Sequence, residues 1–222
     1  MNPLSEIEIL REFVSEARQR RIEQVLSARL GGLTVVLENL HDPHNGAAAL
    51  RSVEGFGLCE LHVVEAVEPF KFSSKVTQGC EKWVAIHRYP TFEACAAALH
   101  ARGFSLWAAL PPSVGAPTVD VEALDVAHPT ALVFGNEHAG LTPEAAARCD
   151  GRFSIPMTGF TGSFNLSVSV ALSVFECAHR RRAVLGGGDL DEAARTVLRA
   201  RWYRLSVDAA EAILRRAGYN SG

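Results

Sequence analysis

Residues 33–54 read Leu33-Thr34-Val35-Val36-Leu37-Glu38-Asn39-Leu40-His41-Asp42-Pro43-His44-Asn45-Gly46-Ala47-Ala48-Ala49-Leu50-Arg51-Ser52-Val53-Glu54. The first five are an unbroken run rich in β-branched residues, too short for a helix, which is the pattern of a strand buried on both faces. The following segment, through Asn45, is polar and turn-forming, and Gly46 to Glu54 then reads as a helix that Gly55 stops. A buried strand feeding a helix through a polar loop is the first half of a βαβ unit, and it predicts a parallel sheet with helices on both faces.

The same alternation continues downstream. Strands are expected at Leu61–Val64, Trp83–Ile86, Phe104–Ala108, Ala131–Phe134 and Phe153–Ile155, with helices over 91–102, 142–148 and 166–182. Upstream, apolar positions at helical spacing predict one helix over 6–30 ending at Gly31-Gly32. Beyond 182, Gly186-Gly187-Gly188 breaks the chain, and Asp189 with Glu192 resembles a capping box opening a helix over 190–202. The expected organisation is an α/β body at 31–182 flanked by helical extensions at 1–30 and 183–222.

Composition agrees with one main core. The 222 residues are 48% hydrophobic and 21% charged, which excludes global disorder, collagen and coiled coil. The sequence contains no apolar run of membrane-spanning length and no basic-then-apolar leader at Met1, so a cytoplasmic protein is expected. Five scattered cysteines without a C-x-x-C pair suggest buried thiols rather than disulfides or a metal site. The net charge of −3 is unevenly spread: residues 31–175 hold 8 basic against 14 acidic residues, and residues 176–222 hold 9 against 6. Arg18, Arg20 and Arg21 cluster near one end, and Arg180, Arg181 and Arg182 near the other. Such clusters suit phosphate contacts, although solvated helix faces would have the same composition.

Three segments share one design, an apolar strand running into a loop of small and polar residues, which is where open α/β sheets hold ligands. In the first, Asn45 stands where a helix N-cap is expected and Arg51 follows within two turns. The second is Phe134-Gly135-Asn136-Glu137-His138-Ala139-Gly140-Leu141-Thr142-Pro143, with a helix starting at Thr142 and glycines that admit a ligand close to the backbone. The third, Ile155-Pro156-Met157-Thr158-Gly159-Phe160-Thr161-Gly162-Ser163-Phe164-Asn165-Leu166-Ser167, leads into an apolar helix. Each alone could be an ordinary cap, tight turn or connector. Neither familiar phosphate-binding glycine fingerprint is present.

In this order the three segments resemble the motifs of the SpoU or TrmH family of ribose 2′-O-methyltransferases within the SPOUT class. Thr77-Gln78-Gly79-Cys80-Glu81-Lys82-Trp83 is similar to that family's stretch before its third strand, and the ends of the chain look like the extensions of its tRNA-specific branch. The resemblance implies an α/β fold of SPOUT type, a mostly parallel sheet with a C-terminal trefoil knot, which chain-crossing rules alone would not suggest. It also implies S-adenosyl-L-methionine as cofactor, a homodimer, no metal, and tRNA as partner, methylated at a D-loop guanosine. By motif position, Asn45, Arg51, Glu137, Ser163 and Asn165 would be catalytic. Cofactor contacts would come from Ala108, Gly135, Ile155 and Phe164, and RNA contacts from Arg18, Arg20, Arg21, Arg180 and Arg181. Phe164 stands where the family commonly has Leu, and Ala108 where a hydroxyl residue is common. Holding an arginine neutral at pH 7 would cost at least about 7 kcal/mol, which favours an electrostatic over a proton-accepting role for Arg51. Methylation of another RNA, in the tRNA anticodon loop or the ribosome, or a silent RNA-binding module, would carry the same motifs.

Overall fold

A computed structural model of the chain describes residues 2–66, 71–112 and 117–218. These form two compact units, one of residues 30–186 and one of residues 1–29 with 187–222.

The larger unit is a seven-stranded, all-parallel sheet: β1 (Leu33–Glu38), β2 (Glu60–Val64), β3 (Ala85–Tyr89), β4 (Ser105–Ala109), β5 (Val119–Asp120), β6 (Thr130–Phe134) and β7 (Gly151–Ser154). The strand order is β3-β2-β1-β6-β4-β7-β5. β1 and β6 lie side by side at the centre, with Val35 opposite Leu132, and every residue of both is buried, as their uninterrupted apolar runs require. One face packs α3 (Pro43–Gly55) and α7 (Leu166–Leu185) over Val35, Leu37, Leu132 and Phe153. The other packs α5 (Phe92–His100) and α6 (Pro143–Arg148) over Val36, Leu106, Ala131 and Val133. A four-residue helix, α4 (Ser74–Thr77), lies against α3.

The smaller unit contains α1 (Pro3–Arg11), α2 (Glu16–Leu26), α8 (Glu192–Ser206) and α9 (Ala210–Arg216). The single helix expected over 6–30 is therefore two, because Ser15 starts a new one, its hydroxyl accepting from Arg18 N. The unit is tied by Arg204 paired with Glu6, by Arg199 paired with Glu23, and by the Arg29 guanidinium 5.1 Å above the Trp202 ring. Gly188 passes so close to the α2 end that a Cβ there would stand 2.5 Å from Ser27 O. The cap of α8 is Asp191, which accepts from Ala194 N, and not Asp189, whose amide is spent on Arg29 O.

Other boundaries also differ from expectation. β3 starts two residues after Trp83, because Cys80–Lys82 form a single 3₁₀ turn that Trp83 closes. As an edge strand it is only partly buried, so its His87-Arg88-Tyr89 end carries no apolar signal. The two-residue β5 gave no periodicity to read.

Candidate functional site

The carboxyl ends of β1, β4, β6 and β7 open on one side of the sheet, and there a cavity of about 450 Å³ lies between the segments that follow β4, β6 and β7. Its walls come from Ala109–Pro112 after β4, Phe134–Leu141 after β6, Phe153, Ser154, Ile155 and Met157, and Ser163, Phe164, Leu166 and Ser169 leading into α7. The Phe134–Leu141 loop is folded tightly on itself. Asn136 and Gly140 exchange two backbone hydrogen bonds of 2.9 Å, and a Cβ on Gly135 would fall 2.1 Å from Leu141 N, so only glycine fits.

Glu137 in this loop reaches across to the β1–α3 connection. One carboxylate oxygen accepts from His41 N at 3.1 Å, and the other from Asp42 N at 3.3 Å and Asn45 Nδ2 at 3.2 Å. Asn45 Oδ1 accepts in turn from Asn165 Nδ2 at 3.1 Å. Asn165 caps α7, its oxygen accepting from Ser167 N and Ser167 Oγ. A single chain of side chains, Asn165 to Asn45 to Glu137, thus joins the three motifs. Asn45 is not the cap of α3: Asp42 is, with its side chain accepting from His44 N and Pro43 in the first turn. That shift places Asn45 inside the first turn, free to point at Glu137.

Arg51 lies six residues beyond Asn45 on α3, about 9 Å along its axis, and its exposed guanidinium donates to Val76 O at 3.3 Å. The structure therefore brings Asn45, Glu137 and Asn165 together and leaves Arg51 beside that chain. Of the expected cofactor contacts, Gly135, Ile155 and Phe164 line the cavity, as do Glu137 and Ser163. Ala108 does not: it is fully buried in β4, and the lining starts one residue later at Ala109, because successive strand residues face opposite sides of the sheet.

The arginines separate into two groups. Arg18, Arg20 and Arg21 are exposed on α2, Arg20 in an i,i+4 pair with Glu16. Arg181, expected at an RNA surface, is 5% exposed and donates to Val126 O, Ala127 O and His128 O. Arg180 donates to Val121 O and Leu124 O, and Arg182 to Phe56 O. All three donate to main-chain carbonyls of the larger unit, and Arg181 is buried in doing so. The triplet's composition could not show this, since exposed and carbonyl-bound arginines spell the same sequence.

Several site residues escaped individual notice in the sequence. Asn39 adopts a left-handed backbone, φ 49°, its side chain accepting from Ala66 N while its carbonyl accepts from Asn136 Nδ2 at 2.6 Å. Asn136 Oδ1 accepts from His138 N and Ala139 N. Glu38 is buried against Thr142. All three lie within the segments that carry the family resemblance, but no contact of theirs could be read from the sequence. Among the described residues no group of His, Cys, Asp and Glu could hold a metal ion, and no helix is long and apolar enough to cross a membrane.

Parallel strands whose ends surround a tight glycine loop and a three-motif hydrogen-bond chain define an α/β protein built to hold a ligand at the topological switch of its sheet. The chain belongs to the SpoU rRNA methylase family, whose model matches residues 32–175. It is 38% identical over 167 residues to the tRNA (guanosine(18)-2'-O)-methyltransferase of Thermus thermophilus, covering 75% of this chain and 84% of that one. It is 32% identical over 201 residues to the protein of the same name from Borreliella burgdorferi, covering 90% and 91%. Among solved structures it is similar to the Aquifex aeolicus TrmH/SpoU tRNA modifying enzyme, with a TM-score of 0.76 and 29% identity over 86% of this chain and 98% of that one.

Proposed function

We propose that the protein methylates the ribose 2′-hydroxyl of guanosine 18 in tRNA, with S-adenosyl-L-methionine as methyl donor. The observation that carries this reading is the Asn165–Asn45–Glu137 chain at the mouth of the cavity, in a protein whose relatives bear that activity in their names over three quarters of its length or more. The cavity suits the cofactor: Leu110, Ile155 and Met157 offer apolar walls for an adenine ring, and the Gly135–Leu141 backbone offers polar atoms at close approach.

Held along Leu110, Ile155, Met157 and the Gly135–Leu141 backbone, the cofactor would supply an electrophilic methyl on a cationic sulfonium for transfer to a ribose oxygen, with a neutral thioether as leaving group and the hydroxyl proton passing to solvent. Asn45, Ser163 and Asn165 orient the ribose. Glu137, held by two backbone amides and Asn45, orders the site and is spent on that task. Arg51, on the exposed face of α3, presents a guanidinium to the substrate phosphate and stabilises charge developing on the attacking oxygen. Alignment of this kind supplies roughly 7–11 kcal/mol in the best cases.

The catalytic body is read as residues 31–182 with helical extensions, and Arg18, Arg20 and Arg21 as its tRNA contacts. The insertion of β6 between β1 and β4, and of β7 between β4 and β5, supports a trefoil knot in the C-terminal part of the sheet. A homodimer is supported by α7, whose Val168, Leu172 and Phe175 form one exposed apolar stripe at helical spacing. A tRNA substrate goes with a cytoplasmic protein. The test is transfer of labelled methyl from S-adenosyl-L-methionine to unmodified tRNA. Incorporation is expected, and cofactor binding without transfer would leave either methylation of another RNA or a silent RNA-binding role.

A further inference from the structure

Glu38 ends β1 and is 3% exposed, and a carboxylate so buried needs partners of its own. Both of its oxygens are spent on one residue: Oε2 accepts from Thr142 N at 2.9 Å and Oε1 from Thr142 Oγ at 2.6 Å. Thr142 is the N-cap of α6, so its hydroxyl gives its one proton to Glu38 while accepting from Ala145 N at 3.2 Å. Glu38 itself is no part of the cavity wall, whereas every residue from Gly135 to Leu141 is.

The loop is therefore held at two ends. Phe134 is fixed by β6 in the sheet, and Thr142 by Glu38. Between them there is no slack. The Asn136–Gly140 bridge and the contact of Gly135 with Leu141 N mean that a shift at Thr142 moves Gly140 and Leu141 against Gly135. We propose that Glu38 is a positioning residue that sets the cofactor affinity of the cavity, acting through Thr142 on the Gly135–Leu141 loop. The proposal rests on the methyltransferase reading.

The experiment measures S-adenosyl-L-methionine binding by calorimetry, KM for cofactor and tRNA, kcat and the thermal midpoint for Glu38→Gln, Thr142→Val, Thr142→Ser and the Glu38→Gln/Thr142→Val pair. Glu38→Gln keeps the shape and turns one acceptor into a donor facing the hydroxyl; Thr142→Val removes the hydroxyl. Each is expected to weaken cofactor binding about tenfold, the weight of one hydrogen bond to a charged group. The double variant is expected to be no weaker than Thr142→Val alone, because both act on one contact. Thr142→Ser restores binding, and the loss of cofactor affinity exceeds any change in kcat at saturating cofactor or in KM for tRNA. A lowered thermal midpoint with unchanged cofactor affinity would overturn the proposal, leaving Glu38 a purely structural role, and so would losses that multiply in the double variant. If the unsubstituted protein binds no S-adenosyl-L-methionine, the methyltransferase reading falls and this proposal with it.

Discussion

Asn165 Nδ2 donates to Asn45 Oδ1 at 3.1 Å, joining residues 120 positions apart. The direction of that bond follows from its neighbours. Asn165 has spent its oxygen on Ser167, and Asn45 needs its amide hydrogens for Glu137. Asn45→Asp is nearly isosteric yet sets a second carboxylate against Glu137 and removes a donor. We expect kcat/KM in single-turnover transfer to fall at least about 100-fold, against about tenfold for Asn45→Ala. Equal losses in the two variants would show that the charge of Glu137 is not felt at Asn45.

Arg51→Lys keeps a positive charge but loses the planar fork. If Arg51 grips a phosphate with two parallel hydrogen bonds, kcat/KM falls on the order of 10- to 100-fold while cofactor affinity is unchanged. Near-normal turnover would leave a simple point charge as its whole contribution.

Away from the site, Glu60 lies in a cluster at the β2–β3 edge. Arg102 Nη1 donates to it at 2.7 Å, and the buried His62 stands 3.4 Å away, its ring stacked on His87. Burial pushes the Glu60 pKa up, but His62 and Arg102 more than offset this and bring it down from 4.5 to about 2. A carboxylate with a lowered folded pKa stabilises the fold above its unfolded value, and that contribution is lost as pH falls from about 4.5 towards 2. Arg102→Ala should therefore cost on the order of 1 kcal/mol in denaturant unfolding at pH 7, since solvent screens the half-exposed guanidinium, with the gap narrowing below about pH 4.5. A gap that is constant down to pH 3 would exclude the charge pair as its cause, leaving the stacking of Arg102 on Phe104.

Replacing Arg18, Arg20 and Arg21 together with alanine should weaken tRNA binding and flatten the dependence of log affinity on log salt by about 0.7–0.9 for each phosphate that is no longer neutralised. Arg180→Ala and Arg181→Ala should act on stability instead, since both arginines bind main-chain carbonyls of the 121–128 segment. An unchanged salt slope in the triple variant would return α2 to a merely solvated face.

The parallel sheet was legible because strands buried on both faces leave unbroken runs such as Leu33–Leu37, and Thr142 was legible as a helix start because Pro143 follows it in the first turn. Asn45 was misjudged as a cap because Asp42-Pro43, three residues earlier, fits the same role, and nothing local decides between them. The Glu38–Thr142 and Asn45–Asn165 contacts span 104 and 120 residues, and such pairings exist only once the strands are in register. Arg181 shows the converse limit, since a charged residue beside other charged residues reads as surface whatever its guanidinium binds.

The most direct test of the account is to methylate unmodified tRNA with the purified protein and S-adenosyl-L-methionine and to map the product by its resistance to alkaline cleavage. The account predicts a single protected linkage, after guanosine 18, that is absent with Asn45→Asp. Protection at a different nucleotide, or none in a protein that binds both cofactor and tRNA, would contradict it.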